Sequence, residues 1–338
     1  MGILQASAAN LVLVTCLLLF LLTHFSPAQS DFDKVGTAGA QFLKLGVGAR
    51  ANGMGGAYIG MANSAGAAFW NPAGLAKIEK RDVDFSHLSW IADIRHDALS
   101  YAHHWGGVGV FALSFVQLGA PDMEVTTTQQ QEGTGEMFTY RDLAIGLSYA
   151  RNLTDAFAVG ITVKYIDEQI YTYHARGIAF DIGTQYRTGF YSLSISFAIS
   201  NFGQDLRFGG AYQNTEVVAG TNTMLSQERE FASFPLPLRF SGGLTYDLLN
   251  LKSLKSRIAL DGLHFNDYSE RIHLGSENWI RDILALRAGY KFNYQEEGLT
   301  LGLGLQTRID NFYLRVDYAY SDLGVFDRVD TFSVNFSF

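Results

Sequence analysis

The sequence is dominated by a two-residue alternation of large apolar side chains with small or polar ones. In residues 191–200 the odd positions are large and mostly apolar, and the even positions are Ser or Ala. Residues 157–166, 299–306 and 331–338 repeat this pattern. A period of two places successive side chains on opposite faces of an extended chain, so each segment is predicted to be a strand with one apolar face.

About fourteen segments of this kind follow one another after residue 80, and no long helical period interrupts them. Each is close to or longer than the roughly 9 to 11 residues that a tilted strand needs to cross a bilayer. The strands of soluble sandwiches are usually shorter. The segments lie near residues 82–91, 97–105, 107–118, 140–151, 156–168, 174–187, 190–201, 237–247, 256–265, 270–277, 282–292, 298–308, 311–320 and 326–338.

Composition favours an apolar face that points outward, toward lipid. Charged residues make up 17% of the chain, below the usual share of about a quarter. The chain holds 25 Phe and 17 Tyr, and the face opposite the large residues is small and rich in Gly. We predict an all-β fold, a transmembrane antiparallel β-barrel of about 14 strands, with a water-soluble β-sandwich or propeller as the alternative. The net charge of -8 excludes an electrostatic nucleic-acid binder.

The connections between the segments agree with a barrel, in which short turns at one end alternate with longer loops at the other. The two longest connections, 119–139 and 202–236, both fall at odd-numbered positions in the order of connections. The even-numbered connection 248–255 fits least well, because it is of medium length. The long loops are interpreted either as solvated spacers or as a surface that binds a partner.

The N-terminus has the features of a cleaved export signal. Residues 11–22 are almost wholly apolar, and small residues at Ala28 and Ser30 fit cleavage before Asp31. We therefore predict a signal peptide over 1–30, although residues 1–5 lack the usual basic residue. Cys16 belongs to this apolar run, with a lipid-modified cysteine as the alternative. Its removal leaves no cysteine in the mature chain.

Residues 31–80 differ from the barrel because frequent Gly interrupts short Ala-rich runs. The stretches 46–58 and 65–76 resemble the start of the PorV/PorQ family, outer-membrane proteins related to the fatty acid transporter FadL, whose N-terminal plug carries an Asn-Pro-Ala motif. The resemblance implies an N-terminal lumenal plug (hatch) over 31–80 and an outer-membrane barrel over 81–338. The plug motif would comprise Arg50, Gly53, Gly55, Gly56, Trp70, Asn71, Pro72 and Gly74.

A plug also agrees with elementary sterics. The lumen of a barrel of about fourteen strands is too wide for wall side chains alone to fill, and Gly and Ala allow backbone to approach that wall closely. Asn71 precedes Pro72 and is therefore held out of the helical region. We expect a fixed turn that leads into the first strand near Asp82, with Asn71 bound to backbone in the lumen or acting as a plain turn cap.

The chain ends in the alternating strand 326–338 with an aromatic last residue. In the family this end is a signal read by the barrel-assembly machinery, so the resemblance implies that machinery and outer-membrane lipid as partners. The signal would comprise Phe332, Val334, Phe336 and Phe338.

We find no motif for a catalytic, metal or cofactor site. Adjacent His103 and His104 would point to opposite faces of a strand, and no phosphate-binding loop or nucleophile elbow is present. A membrane hydrolase whose residues converge only in space stays open. Charged residues fall on plug or lumen positions and are interpreted as channel lining or plug-to-wall pairs, or else as a substrate site. These are Arg50, Lys164, Arg315 and Asp317.

Two functions are compatible with these features. The family resemblance implies a non-catalytic component of type IX protein secretion in the bacterial outer membrane, which binds the C-terminal domains of exported cargo or a surface partner through loops 119–139 and 202–236. The alternative is a FadL-like channel that takes up hydrophobic small molecules. The two-residue period does not distinguish a receptor barrel from a channel barrel.

Overall fold

The computed structural model describes residues 35–217, 224–310 and 312–338. The predicted signal peptide, 1–30, lies outside the described residues, as do the first four residues of the predicted plug, 31–34. Within the described ranges no helix is long and apolar enough to cross a membrane.

Fourteen antiparallel strands form a closed barrel in which each strand pairs with its neighbours along the chain. The predicted fold class and strand number are therefore confirmed. The barrel strands are β1 (Arg81–Ser89), β2 (Arg95–Trp105), β3 (Gly109–Gly119), β6 (Tyr140–Asn152), β7 (Phe157–Ile170), β8 (Tyr173–Arg187), β9 (Ser194–Gly203), β12 (Arg239–Asn250), β13 (Leu254–Phe265), β14 (Arg271–Ile280), β15 (Leu284–Phe292), β16 (Leu299–Ile309), β17 (Phe312–Asp322) and β18 (Arg328–Ser337). Two hairpins stand apart from this sheet, β4 (Met123–Glu124) with β5 (Met137–Phe138) and β10 (Ala211–Val217) with β11 (Met224–Glu230).

The large apolar side chains point outward, as the alternation predicts. On β16 the four leucines at 299, 301, 303 and 305 are 44–54% exposed, whereas Thr300 between them is 1% exposed. The C-terminal strand behaves in the same way, with Phe336 exposed and Asn335 buried. An apolar outer wall of this extent is stable against lipid tails and not against water.

The two ends of the barrel carry different connections. At one end, the short-turn end, successive strands are separated by at most six residues. The other, the long-loop end, carries the two longest connections, 120–139 and 204–238. The ill-fitting connection 248–255 proves to be a short turn, because β12 continues to Asn250 past a bulge between Asp247 and Leu249. The extra residue breaks the alternation there, so the sequence pattern ends the strand too early.

The N-terminal segment, residues 35–80, is built from short helical turns rather than long helices. These turns are Gln41–Lys44, Ala49–Asn52, Ala65–Phe69 and Pro72–Lys77. Met54 and Leu75 of this segment are fully buried, and they share an apolar cluster with small residues of the wall such as Ala102 and Ala150. The core of the protein therefore lies inside the barrel.

A charged residue on the outer wall tests this orientation. Leu303→Arg, in the middle of β16, should lower the free energy of unfolding by about 2–4 kcal/mol, because arginine then faces the centre of the bilayer. Leu299→Arg, at the rim, should cost only about 0–1 kcal/mol. Both values are measurable by denaturant titration in lipid bilayers. Equal costs at the two positions would contradict the outward placement.

Candidate functional site

The N-terminal segment lies within the ring of strands, because its backbone binds inward-facing side chains from several sides of the wall. The Asp261 carboxylate on β13 accepts the backbone N–H groups of Tyr58 and Ile59 at 2.7 and 3.1 Å. Asp82 on β1 accepts the N–H of Ala65 at 2.7 Å. These carboxylates accept hydrogen bonds from backbone N–H groups of the segment. Those N–H groups have no partner in a regular helix or sheet.

Glycines of the wall make room for the segment. A Cβ added to Gly160 would lie 2.3 Å from the backbone of Pro72, and one added to Gly183 would lie 1.9 Å from the side-chain oxygen of Asn71. On the opposite part of the wall, a Cβ at Gly289 would lie 2.1 Å from the backbone of Met54. Any larger side chain at these positions would displace the segment, so the small inward face fits the chain that it encloses.

Asn71 and Pro72 form the tight turn that the sequence indicates. Asn71 is extended, with φ -153° and ψ 104°, and its side-chain oxygen accepts the N–H of Ala73 at 3.1 Å. Its amide group also donates to the carbonyls of Ile59 and Thr184, at 3.0 and 3.1 Å. Asn71 is completely buried. It therefore caps the turn and at the same time binds the wall, which combines the two interpretations of this residue.

The remaining residues of the plug motif either lie close to neighbouring backbone, adopt a backbone conformation that favours glycine, or form a hydrogen bond within the segment. Gly55 and Gly56 have φ values of +66° and +75°, a conformation that L side chains rarely adopt. Trp70 donates its indole N–H to the carbonyl of Val47 at 2.8 Å. Gly53 lies against wall residue Gly302, and Gly74 lies against the carbonyl of Ala62.

Arg50 connects the segment to the wall through a buried ion pair. Its Nε and Nη2 atoms donate to the two oxygens of Glu277 on β14 at 2.7 and 2.8 Å, and both side chains are less than a tenth exposed. Burial alone would lower the pKa of Arg50, but the charge and hydrogen bonds of Glu277, together with Tyr58 and Asp317, outweigh burial and raise that pKa well above the ordinary range. The guanidinium is therefore permanently charged, and its geometry is bidentate.

The pair continues as a ladder of charges along the inner wall. Arg287 on β15 donates to Glu277 at 2.8 Å and to Asp317 on β17 at 2.8 Å. Arg315 donates to the other oxygen of Asp317 at 2.9 Å. On β7, Lys164 pairs with Asp181 of β8 at 2.8 Å. The four charged residues that the sequence indicates, Arg50, Lys164, Arg315 and Asp317, are thus engaged in pairs between the N-terminal segment and the wall or within the wall.

The wall side chains that bind the N-terminal segment were not predicted from the sequence. Asp261, Glu277 and Gln185 all occupy inward positions, and Gln185 donates to the carbonyls of Ile59 and Ala62 at 3.0 and 3.2 Å. The available signal was a charged or amide side chain on the small face of an alternating strand. Such residues are costly inside a barrel unless they have a partner.

At the long-loop end, residues 204–209 and 231–238 cover the lumen. Leu206 and Phe234 form a β-bridge, and a Cβ at Gly39 would lie 2.1 Å from the Phe234 ring. Gly39 donates to the carbonyl of Pro235 at 2.9 Å, and Ala40 donates to Glu168 at 2.8 Å. The base of the long loop and the start of the N-terminal segment therefore hold each other in place.

A small cavity with a mainly apolar lining lies beside the segment. It measures about 40 Å³ and is lined by Phe42, Leu45, Phe69 and Val116, with His96 at its edge. Within the described ranges, no group of three His, Cys, Asp or Glu side chains is placed to hold a metal ion.

Comparison with known families identifies the barrel. A family model described as the type IX secretion system protein PorV matches residues 28–248, which is 221 of the 338 residues. This chain belongs to the PorV family. It is therefore an outer-membrane β-barrel of the type IX secretion system. The family resemblance seen in residues 46–58 and 65–76 is confirmed. By the usual rule for such barrels, the short-turn end faces the periplasm and the long-loop end faces outward.

Solved structures show the same fold at low sequence identity. The toluene transporter TbuX of Ralstonia pickettii is 13% identical, with a TM-score of 0.54 over 86% of this chain and 97% of that one. The toluene transporter TodX of Pseudomonas putida is 11% identical, with a TM-score of 0.53 over 86% and 97%. A FadL homologue of Pseudomonas aeruginosa is 12% identical, with a TM-score of 0.51 over 86% and 98%. No curated protein matches this chain.

Replacing a wall glycine by alanine tests how closely the N-terminal segment packs against the wall. Gly183→Ala should lower the free energy of unfolding by about 1–3 kcal/mol, because its Cβ overlaps the Asn71 side chain. Limited proteolysis should then cut within 35–80 at lower protease concentration. Gly262→Ala is the matched control, since the nearest atom to its Cβ lies 3.9 Å away. Equal protease resistance of both variants would contradict the proposed packing.

Removal of one ion-pair partner tests the ladder. Arg50→Met should cost about 3–5 kcal/mol, because Glu277 keeps a buried charge with one partner fewer. Adding Glu277→Gln should recover part of this loss, since the amide carries no charge. Arg207→Met is the control, because its exposed pair with Glu230 should contribute about 0–1 kcal/mol. Denaturant titration in bilayers measures all three, and no recovery in the double variant would argue against the pairing.

Proposed function

We propose that this PorV-family barrel is a non-catalytic receptor whose long-loop end binds the C-terminal domains of exported cargo or a surface partner. The observation that carries the proposal is the family match to a secretion protein in a barrel whose lumen is occupied by its own N-terminal segment. A filled lumen leaves the loops as the surface on which a large partner can bind.

The loops have the form that such a surface requires. Hairpin β10–β11 pairs over seven residues and is not part of the barrel sheet. It rises from an aromatic base in which Phe231 lies 4.9 Å from Tyr173 and 5.3 Å from Tyr212, measured between ring centroids. The base is fixed over the lumen, while the hairpin edges keep backbone donors and acceptors that another strand can pair with.

The size of the apolar cavity beside the segment disfavours the alternative, a channel for hydrophobic small molecules. A protein cavity that binds benzene has a volume of about 150 Å³, and the apolar cavity beside the segment has about 40 Å³. The likeness to toluene transporters concerns the fold. In the state described by the structure, uptake of a hydrocarbon would require the segment to move.

We further propose that residues 31–80 act as the plug, with the Asn71–Pro72 turn and the Arg50–Glu277 pair as its fixed points. The C-terminal residues from Phe332 to Phe338 would serve as the signal for the barrel-assembly machinery. Their place in the fold is compatible with this role, since β18 pairs with both β17 and β1 and so closes the ring.

Loop replacement tests the receptor assignment. Replacing 213–228 and 125–136 by short Gly-Ser linkers keeps the aromatic base and the barrel, and should weaken retention of cargo C-terminal domains by about tenfold or more, equal to about 1.4 kcal/mol. The control is a Gly-Ser replacement of 293–298, a short connection at the same end. Pull-down from solubilised outer membranes measures retention. Unchanged retention after both replacements would refute the assignment to these loops.

A further inference from the structure

The outer wall departs from its apolar pattern at the long-loop end of β2, β3 and β6. Outward positions there carry Arg95 and Asp97 on β2, Gln117 on β3 and Arg141 on β6. Strand register places Arg95 beside Gly119, and Gly119 beside Arg141. The two arginines therefore flank a glycine in one row across three strands.

An apolar row lies on the membrane side of these arginines, beyond the row that holds Asp97 and Gln117. Leu99, Phe115, Ile145 and Tyr165 are in register with one another across β2, β3, β6 and β7. Leu99 and Arg95 are four residues apart, which corresponds to about 13 Å along a strand. The arginines thus lie just beyond the apolar band, at the level where lipid headgroups begin.

The glycine between the arginines leaves a cleft. Neighbouring strands are about 4.8 Å apart, so the Cα atoms of Arg95 and Arg141 are separated by about 10 Å. A Cβ on Gly119 would have its nearest neighbour 4.0 Å away, so the space above it is open. The cleft has a volume of about 340 Å³, and Asp97, Gln117 and Asp122 line it together with the two arginines.

Some charged side chains in and near this cleft form ion pairs, whereas the two arginines do not. Among the ion pairs of the described residues, none involves Arg95 or Arg141, and the recorded hydrogen bond of Arg141 goes to Gln169 at 3.4 Å. By contrast, Asp97 is bound by His87 at 2.6 Å, and Arg176, on the same outer face, pairs with Asp167 at 3.4 Å. Two guanidinium groups therefore line the cleft without an ion-pair partner, although the carboxylates of Asp97 and Asp122 line it too.

We propose that this cleft binds the phosphorylated sugar headgroup of a glycolipid in the outer leaflet. Guanidinium groups bind phosphate in a bidentate manner, and the carboxylates and the Gln117 amide can bind sugar hydroxyls. The acyl chains then lie on the apolar row formed by Leu99, Phe115 and Ile145. The ligand differs from the cargo proposed above, and the site lies on the wall and not on the loops.

The test uses the full mature barrel in detergent, with diphosphorylated lipid A as the probe and native mass spectrometry as the measurement. Arg95→Gln with Arg141→Gln should weaken lipid A binding about tenfold or more. Gly119→Val should weaken it as well, because it fills the cleft and leaves both charges. The matched control is Arg176→Gln with Arg328→Gln, which removes two outward charges that are already paired. It should retain wild-type binding.

Two further measurements distinguish binding of a lipid phosphate from binding of free inorganic phosphate. Lipid A without phosphates should bind about tenfold more weakly to the wild type, and inorganic phosphate at millimolar concentration should not displace lipid A. Heat-modifiable electrophoretic mobility verifies that each variant is folded. Equal binding by the Arg95 and Arg141 double variant, an equal loss in the control, or displacement by inorganic phosphate would each overturn the proposal.

Discussion

Backbone hydrogen bonding is the constraint on which this structure depends. Lipid tails offer no partner to an N–H or C=O group, so a sheet in the bilayer must close on itself. Here β18 pairs with β1, and the ring of fourteen strands has no free edge. Closure fixes the orientation of the side chains, because one face of each strand meets lipid and the other meets the lumen. The alternation in the sequence follows from these two environments, because large apolar residues face lipid and small or polar residues face the lumen.

Closure also creates an interior that must be filled. The wall supplies glycine where the N-terminal segment approaches most closely, and it supplies carboxylates where that segment has unpaired N–H groups, as at Asp261. Charged groups of the interior form ion pairs, and the buried pair of Arg50 with Glu277 connects the segment to the wall. A lumen organised in this way is compatible with a secretion protein that uses its outer surface.

The sequence predicted the elements that depend on local pattern and missed those that depend on distant partners. Strand number and orientation followed from a period of two, which each strand carries by itself. The bulge after Asp247 and the hairpin β10–β11 did not, because a one-residue slip or a short strand leaves little periodic signal. The partner of Arg50 also could not be predicted. Glu277 lies 227 residues further along the chain, and only the accumulated register of many strands brings the two together.

The closing contact has a consequence for biogenesis. Phe338 exchanges both backbone hydrogen bonds with Arg81 at 2.9 Å, so the ring closes between two segments that are 257 residues apart in the sequence (338 minus 81). The ring can close only when both β1 and β18 are in place. A sheet in which this contact is not formed has two open edges, whose backbone N–H and C=O groups lipid tails cannot satisfy.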